Sequence, residues 1–351
     1  MTIFADCNDI KMKIRFLNIF ALSVLALSLF SCKDEEDTKE YMNGTLLFTC
    51  DMPVYVMPGE KYQAEASGIT APDGTPVAYY YSNTVNSKRD TVRTAPFKYT
   101  YTIPDTLGTF SLSCTAFAVE SSDKYYVSSS SMSFVVVDDN LYSGKGSVTG
   151  WTVREDEPSE MLYDRLYYLA SVGATEWIRY NLCRVDYDAS GAPVFGRPFA
   201  GCKAMRNVLG GFYTWEEARH ACPEGWRLPS EADWIALLKA SGAPDSLQPL
   251  EESPCGAGKL MANASFNGTM MWDYYRGVSI TDASISVLPA GFALVGASGY
   301  EYAGYGSYAA LWTSDEFEGK GVYRYINEQS DCVYVGLADK TRFAASVRCV
   351  R

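Results

Sequence analysis

Hydrophobic and polar residues are distributed differently in three stretches of the chain. Residues 12–32 contain an apolar run that begins with the basic residues Lys13 and Arg15. Residues 43–138 contain short segments in which apolar and polar residues alternate, separated by Pro, Gly, Asp and Ser. Period-two alternation with regular turn signals predicts an antiparallel β-sandwich there. Residues 212–238 instead predict two short helices on either side of a Cys-Pro-Glu-Gly-Trp turn.

Each of the two short helices starts with a capping signal. Thr214 is followed three residues later by Glu217, and Ser230 is followed by Asp233. In a capping box, the hydroxyl and the carboxylate each accept a hydrogen bond from a backbone amide that the helix leaves unpaired. We therefore predict that the helices begin directly after Thr214 and Ser230.

The apolar run of residues 12–32 is typical of a processed export signal. It is too short for a stable membrane span and ends in Leu-Phe-Ser-Cys. It resembles a bacterial lipoprotein signal (residues 1–31, with Met12 as an alternative start) in which Cys32 becomes the lipidated residue. A buried helix of the mature fold is the alternative.

Residues 32–42 follow as an acidic linker, with Lys33 before four consecutive acidic residues. This run resembles the signal that sends lipoproteins of the Bacteroidetes type to the outer face of the outer membrane. We expect a cell-surface protein that faces outward and contacts the membrane through its lipid anchor.

The charge of the chain limits its partners. The formal net charge is −12 and the pI is about 4.7. Because nucleic-acid phosphates would be repelled by such a surface, we expect no nucleic-acid partner.

Cysteines indicate disulfides. Eight of the ten remain once Cys7 and Cys32 are set aside, and no Cys-x-x-Cys motif occurs, which argues against a thiolate metal site. Cys50 and Cys114 lie in two of the alternating segments. Their separation fits the inter-sheet disulfide of an immunoglobulin-like or PKD-like sandwich, although no tryptophan precedes Trp151.

Several motifs in the C-terminal half occur in the order typical of one family. They are a Tyr-rich strand and a Trp strand ending in Asn181-Leu182, the run RLPSEADW (227–234), LPAGFA (288–293), GSYAALWTSDE (306–316), VYRYI (322–326) and the final SVRCVR. The sequence resembles the Fibrobacter succinogenes major paralogous domain, a C-type-lectin-like fold related to the formylglycine-generating sulfatase-modifying family. The resemblance implies an α+β lectin-like domain over residues 161–351, joined to the sandwich by a connector at 139–160.

This resemblance also bears on the cysteines. A fold whose ends meet in one small sheet would gain from a bond between Cys222 and Cys349. The remaining cysteines are assigned less directly, because six cysteines allow fifteen pairings. We expect the bonds Cys183–Cys202 and Cys255–Cys332.

The resemblance gives little support for catalysis. His220 is the only histidine, so the iron-binding histidine trio of the sulfoxide synthases cannot exist here. The stretch that corresponds to the copper-binding cysteine pair of formylglycine-generating enzymes contains only Cys332. The motifs of a calcium-dependent sugar site are also missing. We expect a protein that is not an enzyme and has no cofactor or metal.

Aromatic residues in two Gly-rich loops suggest a ligand-binding surface. Tyrosine and tryptophan present flat apolar area with a polar edge, which suits sugar rings. Ordinary loop packing is the alternative. The candidate residues are Trp272, Tyr274, Tyr275, Tyr300, Tyr302, Tyr305 and Tyr308.

We therefore expect an outer-membrane surface lipoprotein whose C-terminal domain recognises a glycan or protein ligand without catalysis. One alternative is a structural, tip or accessory subunit of a surface assembly such as a fimbria. A second alternative is an enzyme of the sulfatase-modifying type.

Overall fold

The computed structural model of the chain describes residues 38–138, 148–149, 157–272 and 278–351. Residues 40–351 form one compact, β-rich unit. The predicted signal, Cys32 and most of the predicted acidic linker lie outside the described residues. No helix within the described ranges is long and apolar enough to cross a membrane.

The N-terminal part consists of ten strands. They are β1 Glu40–Tyr41, β2 Asn43–Cys50, β3 Tyr55–Val56, β4 Lys61–Thr70, β5 Val77–Asn83, β6 Arg89–Val92, β7 Phe97–Thr102, β8 Gly108–Ala118, β9 Tyr125–Tyr126 and β10 Ser128–Val136. Strand β1, at Glu40 and Tyr41, lies within the range predicted as the acidic linker.

Two sheets of this part enclose one apolar cluster. Their strand orders are β2-β4-β7 and β3-β10-β8-β5-β6. Strand β4 shows the alternation that the sequence predicts, since Ala64 and Ala66 are buried in the cluster while Gln63 and Glu65 are exposed.

The described residues of the C-terminal part form sixteen short strands together with helices. The first elements are β11 Val148–Thr149, β12 Ser159–Leu162, β13 Arg165–Val172, β14 Thr175–Ile178, β15 Asp186–Tyr187, β16 Pro193–Phe195, β17 Arg197–Pro198, a 3₁₀ turn Phe199–Gly201, α1 Lys203–Leu209, β18 Gly211–Thr214, α2 Trp215–Ala218, α3 Glu231–Ala240 and α4 Ala257–Leu260. The last are β19 Ser265–Phe266, β20 Thr269–Met270, β21 Phe292–Gly296, β22 Gly299–Ala303, β23 Tyr308–Phe317, β24 Lys320–Asn327, β25 Tyr334–Ala338 and β26 Phe343–Ala345.

The predicted helix caps and one predicted disulfide of the C-terminal part are confirmed. Thr214 and Glu217 form a complete capping box at the start of α2, and Ser230 and Asp233 form another at α3. The predicted Cys222–Cys349 disulfide is also present, with the two Cα atoms 5.8 Å apart. It joins the turn after α2 to the end of the chain.

Asn181 and Arg348 join the beginning of the C-terminal part, just after β14, to the last residues of the chain. The Arg348 guanidinium is fully buried and donates from Nε to the Asn181 side-chain oxygen at 2.9 Å. The Asn181 amide in turn donates to the carbonyl of Leu209 and the hydroxyl of Ser346. A buried charge is stable only when its donors are paired, and here amide and carbonyl oxygens from distant segments accept them.

The two parts of the chain share a core. Val137, at the end of the sandwich, belongs to the same buried cluster as Met205 of α1. The ring of Tyr55 lies 6.1 Å from that of Phe199 and 6.4 Å from that of Phe266. The described segments within the predicted connector at 139–160 form short strands, since β11 pairs with β19 and β12 pairs with β13.

Apart from Cys222–Cys349, the predicted disulfides are not formed between described residues. Cys50 and Cys114 lie on facing sheets but are free thiols, and burial raises the pKa of Cys114 to about 11. Cys183 and Cys202 are both buried, and each donates to a nearby backbone carbonyl, of Asn181 and Ala200 respectively. Cys255 and Cys332 are likewise free thiols.

Candidate functional site

Two loop aromatics that suggested a ligand surface lie outside the described residues, and a third is buried. The two outside the described ranges are Tyr274 and Tyr275. Trp272 is fully buried, and its indole Nε1 donates to the carbonyl of Val287 at 2.9 Å. Because a fully buried ring cannot contact a ligand, Trp272 is wrong as a binding residue.

The remaining loop aromatics are half-buried and packed against neighbours. The rings of Tyr302 and Tyr305 have centroids 5.1 Å and 5.2 Å from that of Phe199. The guanidinium of Arg197 lies 5.2 Å from the ring centroid of Tyr300. Loop packing, the alternative to ligand binding, accounts for these contacts.

A second group of aromatic side chains, which includes the loop candidate Tyr308, lies on one face of the sheet β23-β24-β25. Along β24, Val322, Arg324 and Ile326 are buried beneath the sheet, whereas Tyr323 and Tyr325 alternate with them and are half-exposed. The neighbouring strands contribute one half-exposed ring each to this surface. We call it the tyrosine face: Tyr308, Tyr323, Tyr325 and Tyr334.

Three of these rings form a nearly parallel stack across the strands. The ring centroids of Tyr308 and Tyr325 are 5.0 Å apart with an interplanar angle of 21°. Those of Tyr325 and Tyr334 are 4.9 Å apart with an angle of 14°. Since Tyr325 is covered on both flanks, the stack presents ring edges and hydroxyls, and Tyr334 lies on the last strand of the sheet.

Further aromatic rings pack against the tyrosine face on the same side of the sheet. Tyr323 stacks on Phe343 at 4.8 Å, and Phe343 stacks on Phe292 at 5.2 Å. The fully buried Trp312 meets Phe343 edge-on at 5.5 Å and donates from Nε1 to the carbonyl of Tyr213. Such packing holds the outer rings in place at little further entropic cost when a ligand binds.

Gly336 gives Tyr323 the space it occupies. A Cβ atom at position 336 would lie 2.1 Å from Cζ of the Tyr323 ring. Only glycine allows the ring to lie directly over the backbone of β25 at this point.

A buried ion pair holds β24 from the opposite side. The Arg324 guanidinium donates from Nε to Glu231 at 2.9 Å and from Nη2 to the same carboxylate, and from Nη1 to the carbonyl of Glu251 at 2.7 Å. The side chains of Arg324 and Glu231 are 0% and 3% exposed. Because Arg324 lies between Tyr323 and Tyr325, this pair connects the tyrosine face to helix α3.

Burial raises the pKa of Tyr308, Tyr323 and Tyr325, so these three hydroxyl groups keep their protons at neutral pH. Burial raises the pKa of Tyr308, with smaller effects of the neighbouring Tyr323 and Tyr325. Burial, with smaller effects of Tyr323 and Glu252, raises the pKa of Tyr325 to about 12. The face thus offers neutral phenols beside the exposed carboxylate of Glu252, which suits a ligand rich in hydroxyl groups.

Catalytic or metal-binding arrangements are not evident in the described part of the chain. His220 is exposed just after α2, and its backbone carbonyl accepts a hydrogen bond from Arg184. No group of three His, Cys, Asp or Glu side chains in the described ranges is placed to hold a metal ion.

The sequence contained a signal for the tyrosine face that the loop hypothesis passed over. In VYRYI the tyrosines alternate with residues of other types, which places them on one face of a strand. Tyr334 could not be added to that face without knowing the register between β24 and β25, which pairs it with Tyr325.

Comparison with known proteins identifies the C-terminal half. A family model of the Fibrobacter succinogenes major domain matches residues 171–351, more than half of the chain. The matched range includes the tyrosine face and the Cys222–Cys349 disulfide. No curated protein matches the chain.

Proposed function

The chain belongs to the Fibrobacter succinogenes major domain family, and we propose that it is an outer-membrane surface lipoprotein that recognises a glycan without catalysis. The tyrosine face is the binding surface in this proposal. The observation that carries it is the stack of half-exposed rings Tyr308, Tyr325 and Tyr334.

Sugar recognition agrees with the chemistry of this surface. Sugar rings present C–H groups on one side and hydroxyls around the rim, which match aromatic flanks and phenol or carboxylate oxygens respectively. Tyr334 offers a flank at the edge of the sheet, and Glu252 supplies an acceptor near Tyr325. Because Phe343 and Phe292 pack against rings of the tyrosine face, the surface is largely preformed.

The proposed architecture is an immunoglobulin-like sandwich carrying a C-type-lectin-like domain. The strand orders β2-β4-β7 and β3-β10-β8-β5-β6, with β3 parallel to β10, support the first assignment. The Cys222–Cys349 disulfide and the capped helix α3 support the lectin-like assignment, since the resemblance led us to expect both features. The shared core around Val137 argues that the sandwich helps to orient the C-terminal part.

The proposed location at the outer membrane is supported by the sequence alone. The apolar run before Cys32 and the acidic run after it support lipid anchoring and outward display.

The alternative of a fimbrial or other assembly subunit has less support. A strand donated by a neighbouring subunit needs an apolar groove. The groove across β2, β4 and β7 has a volume of about 630 Å³ and is lined in part by Asp51, Gln63, Glu65 and Lys98. These polar side chains favour solvent over an inserted apolar strand.

A glycan array tests the proposal. We expect the wild-type protein to bind a subset of oligosaccharides, and Tyr334→Ala to weaken that binding about two- to tenfold, since an aromatic contact contributes roughly 0.5–1.5 kcal/mol. Tyr41→Ala is the matched control, because Tyr41 is 79% exposed but lies in the sandwich. Absence of glycan binding, or equal binding by wild type and Tyr334→Ala, would reject this function.

A further inference from the structure

Cys255 and Cys332 lie on neighbouring chain segments that are held in register. The amide of Ser253 donates to the carbonyl of Val333, and the amide of Val333 donates back, both at 2.9 Å. This antiparallel pairing places Cys332 opposite Pro254. The Cys332 sulfur lies 3.5 Å from the Pro254 carbonyl oxygen, in the peptide unit that joins Pro254 to Cys255.

Asp331 joins the same two segments on the other side of the thiols. Its carboxylate accepts from the amide of Gly256 at 3.1 Å and from that of Gly258 at 2.7 Å. Its own carbonyl accepts from the amide of Ala257 at 3.0 Å. Contacts on both sides of the thiol pair therefore keep the two backbones adjacent, which is one requirement of a disulfide. The Cys255 thiol donates to the carbonyl of Gly242 at 3.3 Å, so its side chain must rotate away from Gly242 for the bond to form.

Solvent exposure distinguishes Cys255 and Cys332 from the buried thiols. Cys183 and Cys202 are buried, whereas Cys255 and Cys332 are both half-exposed. Cys255 also lines a surface pocket of about 460 Å³, together with Lys259 and Asp331. Exchange with an external disulfide requires such access to the sulfur atom.

We propose that Cys255 and Cys332 form a reversible disulfide that fastens the segment 251–258 to the edge strand β25. The loop closed by this bond contains Tyr308, Tyr323 and Tyr325, and Tyr334 follows Cys332 by two residues. Formation of the disulfide therefore restrains the backbone that carries the tyrosine face. Its effect on ligand binding rests on the proposed function, whereas formation of the bond does not.

The chemistry is two-step thiol–disulfide exchange with an external disulfide oxidant. One thiolate attacks a sulfur of the oxidant, which forms a mixed disulfide and releases one thiol from the oxidant. The second cysteine then attacks the protein sulfur and releases the other thiol. Two electrons and two protons pass to the oxidant, and the Cys255–Cys332 bond remains.

Peptide mapping of the full chain without reduction, after incubation with oxidised glutathione, tests the proposal. We expect one linked peptide pair containing Cys255 and Cys332, with a mass about 2 Da below the sum of the two thiol peptides. In Cys332→Ser the second step is blocked, so Cys255 should retain one glutathione. Cys202→Ser is the control and should leave the linked pair unchanged.

Amide hydrogen exchange gives a second reading that does not depend on any ligand. Exchange across residues 251–258 should slow on oxidation of the wild type and stay unchanged in Cys332→Ser. The proposal is overturned if both thiols remain open to alkylation after oxidation, or if they link to other cysteines. A linked pair in a protein that binds no glycan would reject the proposed function and leave this inference intact.

Discussion

Replacing Glu231 by alanine should strongly destabilise the protein through the charge it leaves behind. In the native fold, the carboxylate accepts two hydrogen bonds from Arg324 and a third from the amide of Leu250 at 2.8 Å. Arg324 is fully buried, so water cannot take the place of the missing carboxylate. Removing one partner of a buried ion pair costs about 3–5 kcal/mol of unfolding free energy.

Urea denaturation followed by circular dichroism measures this loss. The control is Glu65→Ala, because the Lys98–Glu65 pair is 57% and 50% exposed and should contribute less than about 1 kcal/mol. The double variant Glu231→Leu with Arg324→Met should recover most of the stability, since it leaves no charge unpaired. The reasoning is refuted if Glu231→Ala and Glu65→Ala lose similar amounts.

Three other folded-state features and the anchor give further predictions. Burial alone would raise the pKa of Asp233, but its hydrogen bonds, the largest from Arg227, lower the pKa from 3.8 to about 2. The ionised carboxylate therefore stabilises the fold above pH 4, and this stabilisation is lost as the pH falls towards 2. Asp233→Asn should remove about 1 kcal/mol at pH 7, a value discounted for the exposed arginine, and should flatten the pH dependence of the urea midpoint in this window. Cys222→Ser should cost about 2–5 kcal/mol in the same denaturation assay, and a loss below 1 kcal/mol would contradict a structural role for the bond. Gly336→Ala should displace the Tyr323 ring and cost about 1–3 kcal/mol, with a changed near-ultraviolet dichroism spectrum; an unchanged spectrum would show that the ring does not need this space. Cys32→Ala should abolish incorporation of labelled fatty acid, and continued labelling would contradict lipid anchoring at that residue.

Local sequence signals predicted local structure well. The capping boxes at Thr214 and Ser230 depend on residues three positions apart, so the sequence contains all the partners. The Cys222–Cys349 bond was predicted from a family resemblance that also located the chain ends. The short strands β11 and β12 within the predicted connector were not predicted, because they have little pattern of their own; β11 forms by pairing with the distant β19 and β12 by pairing with the neighbouring β13.

Sites that depend on register or burial were harder to predict. Aromatic residues in Gly-rich loops looked exposed, yet Trp272 lies in the core and Tyr302 packs on Phe199. The stack of Tyr308, Tyr325 and Tyr334 depends on strand pairing across β23, β24 and β25, which no single segment reveals. The cysteine pairings show the same limit, since Cys50 and Cys114 lie on facing sheets without bonding.

Ring-proton chemical shifts of the tyrosines test the central claim most directly. The strongest oligosaccharide from the glycan array is titrated into protein with isotopically labelled tyrosine, and single Tyr→Phe variants assign the signals. We predict saturable shifts for Tyr308, Tyr325 and Tyr334, with Tyr302 and the sandwich residue Tyr41 unchanged. Shifts confined to Tyr300, Tyr302 and Tyr305, with the tyrosine face unaffected, would contradict the account.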